Sequence, residues 1–135
     1  MAGFKGTGQC NAVLDYNLGN GSPATLYYAL FTAAPTAAGG GTEVTGGSYA
    51  RVAVTNNSTN FPNASGATKS NGADVAFTTA SADWGTVTHA AVVKTASGAL
   101  GSSDIVYGGP LTVSRVVLNG DSFTIAAGGA VFTEA

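Results

Sequence analysis

Apolar residues in this chain fall in short runs broken by Gly, Asn, Ser, Thr and Pro, and within several runs they alternate with polar ones. That two-residue period is the mark of a half-buried β-strand. Tyr49–Thr55 sets Tyr49, Arg51 and Ala53 against Ala50, Val52 and Val54, and Val75 and Phe77 share one face of Ala73–Thr78. Thr25–Phe31 is dense in strand formers, and Thr86–Thr95 is the longest run. Asp104–Tyr107, Leu111–Leu118, Ser122–Ala126 and Ala130–Thr133 complete the set. Asn119-Gly120-Asp121 predicts a tight hairpin between two of these runs, because Asn-Gly tolerates the positive φ of such turns. One stretch departs from the pattern. Cys10, Leu14 and Leu18 repeat at helical spacing, with Asn11 placed to cap a helix and Gly19 to end it. So short a helix must dock on something.

These elements predict an all-β chain, a single antiparallel β-sandwich or jelly-roll-like domain of about 7–8 short strands with one short N-terminal helix. The domain is expected over residues 11–135, behind a flexible, Gly-rich N-terminal arm at 1–10 that has no core pattern. The expected core contains Leu26, Tyr28 or Leu30, Val52, Val54, Val75, Phe77, Val92, Val116, Phe123, Ile125 and Phe132. A one-residue slip would reverse the buried face of any of these strands.

Composition sharpens the picture. Of 135 residues 44% are hydrophobic and only 9% charged, against about 25% charged in an ordinary soluble domain. With a formal net charge of −2, the surface is largely neutral and better suited to protein contact than to open solvent. Five scattered Lys and Arg residues form no basic stripe, which argues against nucleic acid as a partner. No apolar run approaches the roughly 18 residues of a membrane helix, so no membrane partner is expected. The N-terminus lacks the apolar stretch of a signal peptide, which points to synthesis in a cytoplasm. The lone Cys10 cannot form an internal disulfide. It is expected as a small buried apolar residue, with a cross-link between chains as the alternative.

Little in the chain suggests chemistry. His89 is the only histidine and lies mid-strand, as a structural histidine would. The acidic residues sit mostly beside Gly, Ser or Asn, where turn capping accounts for them, and no carboxylate pair is evident. No catalytic set, metal site or cofactor is expected. Trp84 is more informative. It enters the longest strand, either as an aromatic plug at one end of the fold or as an anchor in a protein contact. Tyr49 and Arg51 belong to the same candidate contact set. So do Asn57 and Phe61, in the Asn/Ser/Thr-rich segment that follows Thr55.

The runs "GGGTEVTGGSYARVAVT" and "NNSTNFPNASGATKSNGADVAFTTASADWGTVTHAAV", with the strand "ATLYYALFTAAPT" before them, resemble a family of small tailed-bacteriophage structural proteins. The likeness spans about Asn11–Thr133, and members are often labelled tail fibre or minor tail proteins. It implies a non-enzymatic virion protein assembled in the bacterial host cytoplasm, and it carries over no catalytic or ligand residue. Two roles fit. The first is a capsid decoration, or cement, protein that binds and stabilises the major capsid protein lattice. The alternative is a tail component, a fibre-associated or tail-tip subunit in touch with a host receptor. Fibres usually need a long shaft or repeats, which this chain lacks, and that favours decoration. Its partners would be the major capsid protein or another virion protein. Copies of itself would join it in a homo-oligomer, a trimer by analogy with the three-fold positions of shells.

Overall fold

The computed structural model describes residues 3–134. Along the chain run α1 (Thr7–Asn17), β1 (Thr25–Ala33), β2 (Thr42–Glu43), β3 (Val52–Thr55), β4 (Thr68–Ser70), β5 (Val75–Ala76), β6 (Gly85–Val93), β7 (Ile105–Val117), β8 (Thr124–Ile125) and β9 (Val131–Thr133). The chain is all-β, with one short helix among the described residues. The elements fall into two units built from separated segments. One comprises the described parts of Met1–Thr25, Thr55–Asp74 and Ile125–Ala135; the other comprises Leu26–Val54 and Val75–Thr124.

In the first unit α1 begins at Thr7, so the helix includes part of the segment expected as an arm. Gly6, not Asn11, is the N-cap. Asn11 lies inside the helix, and its Oδ1 accepts from the Ala67 N–H at 2.7 Å. Cys10, Leu14 and Leu18 are buried as their spacing predicts. The helix ends before Gly19, whose φ of 104° suits glycine and where a Cβ would lie 2.9 Å from the Phe61 carbonyl. Beyond Thr55 the polar segment is tied down residue by residue. The Asn57 side chain accepts from the Asn60 N–H at 2.9 Å, and the Asn57 carbonyl accepts from the Phe61 N–H at 2.9 Å. Phe61 is fully buried and packs against Phe132, their ring centroids 6.2 Å apart. The segment also holds β4, which pairs antiparallel with β9 through Lys69↔Phe132. No alternation in Thr-Lys-Ser announces that strand.

The second unit carries a five-stranded sheet in the order β2-β1-β6-β7, with β3 also on β1. β1 is central and buried on both faces, since Tyr28 and Leu30 alternate with Ala29 and Phe31 and all four are buried. A strand covered on both sides reads as a continuous apolar run, which is why its sequence left its faces ambiguous. Ala29, Phe31, Ala91 and Val93 form one cluster, with Tyr27, Leu100 and Ile105 packed against it.

Three expectations need correction here. Asp104–Tyr107 and Leu111–Leu118 are one strand, β7, and not two. Its buried residue near the end is Val117, while Val116 is 59% exposed, a one-residue slip from the expected core. Asn119-Gly120 does turn the chain, with the Asp121 N–H bonded to the Leu118 carbonyl at 2.9 Å. However, it makes no hairpin, because β8 pairs with β5. Of the remaining expected core, Val52 and Val54 are only half-buried, and the other residues named are buried.

Candidate contact site

The five residues singled out from the sequence divide between the units. Tyr49, Arg51 and Trp84 meet in the second; Asn57 and Phe61 lie in the first. In the second unit, the segment between β2 and β3 brings Tyr49 over Glu43. The Tyr49 hydroxyl accepts from the Leu30 N–H at 2.9 Å and donates to Glu43 Oε2 at 2.8 Å. Arg51 grips the same carboxylate with both arms, Nε to Oε2 at 2.8 Å and Nη2 to Oε1 at 2.7 Å. Its remaining N–H groups reach the Thr95 carbonyl and hydroxyl, both at 3.0 Å, and the Gly98 carbonyl at 2.6 Å. A guanidinium with each donor placed in this way acts as a clamp, fixing loop 94–98 to β2. The hydrogen bonds Arg51 donates to Glu43, and the charge of that carboxylate, hold the Arg51 pKa above the ordinary arginine value, against the opposing effect of burial. Burial, reinforced by the Glu43 charge, raises the Tyr49 phenol well above its usual range. Tyr49 therefore stays protonated and keeps donating to Glu43.

The aromatic part is equally internal. Trp84 is 6% exposed and meets Tyr49 edge-on at 5.4 Å. Its indole N–H donates to the Gly47 carbonyl at 2.9 Å. Gly47 has a φ of 56°, and a Cβ there would fall 2.8 Å from the indole nitrogen, so the position needs glycine. Phe77 stacks on Tyr49 and meets Phe123 edge-on at 5.8 Å. The Arg115 guanidinium lies 5.0 Å from the Phe123 ring centroid, a cation–π contact. Trp84 is thus buried inside its unit. Tyr49 and Arg51 spend their polar groups inside the fold, Phe61 is wholly buried, and Asn57 is a half-buried turn residue.

Carboxylates follow the same logic. Asp15, Asp74, Asp83, Asp104 and Asp121 each accept a backbone N–H, from Ala64, Ala127, Asn119, Gly101 and Leu118 respectively. Glu43 holds Arg51, and Glu134 pairs with Lys5. All seven acids of the chain are accounted for by structural partners. Among the described residues no group of three or more His, Cys, Asp or Glu is arranged to hold a metal ion. His89 is half-buried, with Nδ1 2.8 Å from the Thr88 hydroxyl. Lys69 was not anticipated as buried. Its ammonium donates to the Leu18 carbonyl at 2.7 Å and the Phe61 carbonyl at 3.2 Å, and pairs with Asp15 at 2.9 Å.

What the second unit exposes is different: Val113 at 73%, Val116 at 59% and Leu118 at 49%, all on or just past β7. β7 is an outer strand of the sheet and pairs, among the described residues, with β6 alone. Its register explains the exposure. Val87 pairs with Arg115 and His89 with Pro110, leaving Thr88 alone opposite Leu111–Ser114. The surplus residues bulge out of the ladder and carry Val113 into solvent. These three side chains are the exposed large apolar residues of the second unit among the described residues.

Fold and site together describe an all-β chain braced by internal polar clamps, with Val113, Val116 and Leu118 exposed on or just past β7. The chain matches the family described as Podophage GP4 fiber I protein gp80 over residues 9–133 and belongs to that family. It is therefore a bacteriophage virion structural protein. No curated protein matches it. The family description names a fibre protein, which sides with the tail alternative and leaves the capsid-decoration expectation without support. The resemblance seen in the sequence is borne out across nearly the same span. No helix among the described residues is long and apolar enough to cross a membrane.

Proposed function

We propose that this chain is a non-enzymatic, fibre-associated component of a phage tail that works by contact with other virion proteins. The observation that carries this is family membership over residues 9–133 under a fibre description. The disposition of the polar residues supports it. Every carboxylate has a backbone or cationic partner, so none stands in a cleft with the perturbed, unshared environment of a general acid or base. The sparse charge, 9% of residues, supports a subunit that is covered by neighbours in its working state. The trimer expected from shell three-fold positions rested on the decoration role and loses its ground with it.

The test is a phage in which this gene is disrupted. Heads should fill and withstand heat and osmotic shock like the parent, while particles lack fibre density or fail to adsorb. Heads that burst or shed DNA, on particles with normal tails, would return the chain to the capsid.

A further inference from the structure

We propose that Asn20 is a spontaneous modification site: of the three Asn-Gly steps in this chain, Asn20-Gly21 is the one the fold leaves free to deamidate to aspartate and isoaspartate. The inference holds whether the chain sits on tail or head.

The chemistry depends on one nitrogen. In an Asn-Gly step the glycine amide nitrogen, once base has taken its proton, attacks the Cγ carbon of the Asn side chain. The Cγ–Nδ2 bond breaks, ammonia leaves, and a succinimide ring remains. Water then opens the ring at either carbonyl, giving aspartate or isoaspartate. In balance, one water enters, ammonium leaves and the chain gains one negative charge, with no oxidant or reductant. Glycine favours the closure because it has no Cβ to obstruct it. A glycine N–H committed to a hydrogen bond is held in place and keeps its proton, so that bond must open before the ring can form.

Two of the three steps are locked. Asn71 is 3% exposed; its Nδ2 donates to the Ala73 and Ala126 carbonyls at 2.8 and 3.0 Å, and its Oδ1 accepts from the Ala130 N–H at 2.9 Å. The Gly72 N–H that would attack it donates to the Asn60 carbonyl at 2.7 Å. Asn119 is exposed, but the Gly120 N–H is spent on the Ala80 carbonyl at 2.7 Å, and the Asn119 N–H on Asp83 Oδ1 at 2.8 Å. Asn20 differs on each count. Asn20 and Gly21 are both exposed, and among the described residues neither the Asn20 side chain nor the Gly21 N–H has a hydrogen-bond partner. The free step is bounded on both sides by the buried Asn56 side chain, whose Oδ1 accepts from the Gly19 N–H and whose Nδ2 donates to the Pro23 carbonyl at 3.0 Å. Conversion at Asn20 therefore adds a charge to the turn after α1 without removing either anchor.

The test is peptide mapping by mass spectrometry on the purified full chain, aged for weeks at mildly alkaline pH, beside the same chain kept unfolded in guanidinium chloride. In the folded protein deamidation should gather at Asn20, with Asn71 and Asn119 slower by about tenfold or more, because a committed hydrogen bond must open first. In the unfolded chain the three steps should react within a few-fold of one another. Asn20→Gln should abolish the acidic form that isoelectric focusing resolves from aged folded protein, while its thermal melt stays within a degree or two of wild type. Asn71 or Asn119 reacting as fast as Asn20 in the folded protein would overturn the proposal. So would an Asn20 that survives intact there, or an acidic form that persists at full rate in Asn20→Gln. The same spread of rates in the unfolded chain would also overturn it, by tracing the difference to sequence and not to the fold.

Discussion

Glu43 shows how much one exposed-looking residue carries. The Arg51 Nε–H and one Nη2–H, which donate to Glu43, would be left without their carboxylate in a side chain only 3% exposed, while the bonds to Thr95 and Gly98 remain. Glu43→Ala should cost about 3 kcal/mol, the lower end for breaking a buried pair, because Glu43 itself keeps some solvent contact. Urea denaturation of the variant gives the value, and an unchanged midpoint would mean that the clamp is ornamental. Asp15 makes a pH-dependent contribution. Burial alone would raise its pKa, but the Ala64 N–H and the Lys69 ammonium outweigh that and lower it from 3.8. A carboxyl that is more acidic in the folded state binds fewer protons there than when unfolded. Its stabilisation is thus full above the unfolded pKa and is lost as pH falls below about 3.8 through the folded value. Asp15→Asn should flatten the acid limb of the stability profile, compared as urea midpoints at pH 7 and pH 3. An identical fall in both proteins would remove Asp15 from that role.

Among the elements, β7 gives the sharpest comparison. Val116 and Val117 are adjacent and chemically identical, yet one is 59% exposed and the other wholly buried. Val117→Ala should destabilise by about 1.5–3 kcal/mol, and Val116→Ala by about 0.5 kcal/mol or less. Thermal or urea melts of the pair check this, and equal effects would mean that the register is wrong. The same strand shows what the sequence conceals. Alternation marked the run that holds β3, although the strand covers only Val52–Thr55 of the expected Tyr49–Thr55, and the helical spacing of Cys10, Leu14 and Leu18 marked α1. A wide bulge breaks the two-residue period, so the pattern within Leu111–Leu118 placed the wrong valine inside. β4 was hidden because Lys69 is buried through three specific partners supplied by distant segments, and no local pattern encodes them. Among the candidate contact residues, the sequence singled out the aromatic and arginine side chains without showing which way they face. Their partners Glu43, Gly47, Thr95 and Gly98 decide whether such groups face inward or outward, and those partners come together only in the fold.

For the whole molecule, the central claim is that this is a tail-fibre-associated subunit that acts by contact. Low charge, structurally committed carboxylates and an apolar strand edge all suit a component that spends its life covered by other protein. Family membership places the chain among virion structural proteins, and its fibre description motivates the tail location. Immunogold electron microscopy of intact virions, with antibody raised against this chain, tests that location directly. The account predicts gold at the tail, on or beside the fibres, with heads unlabelled; gold distributed over the head surface, with bare tails, would contradict it.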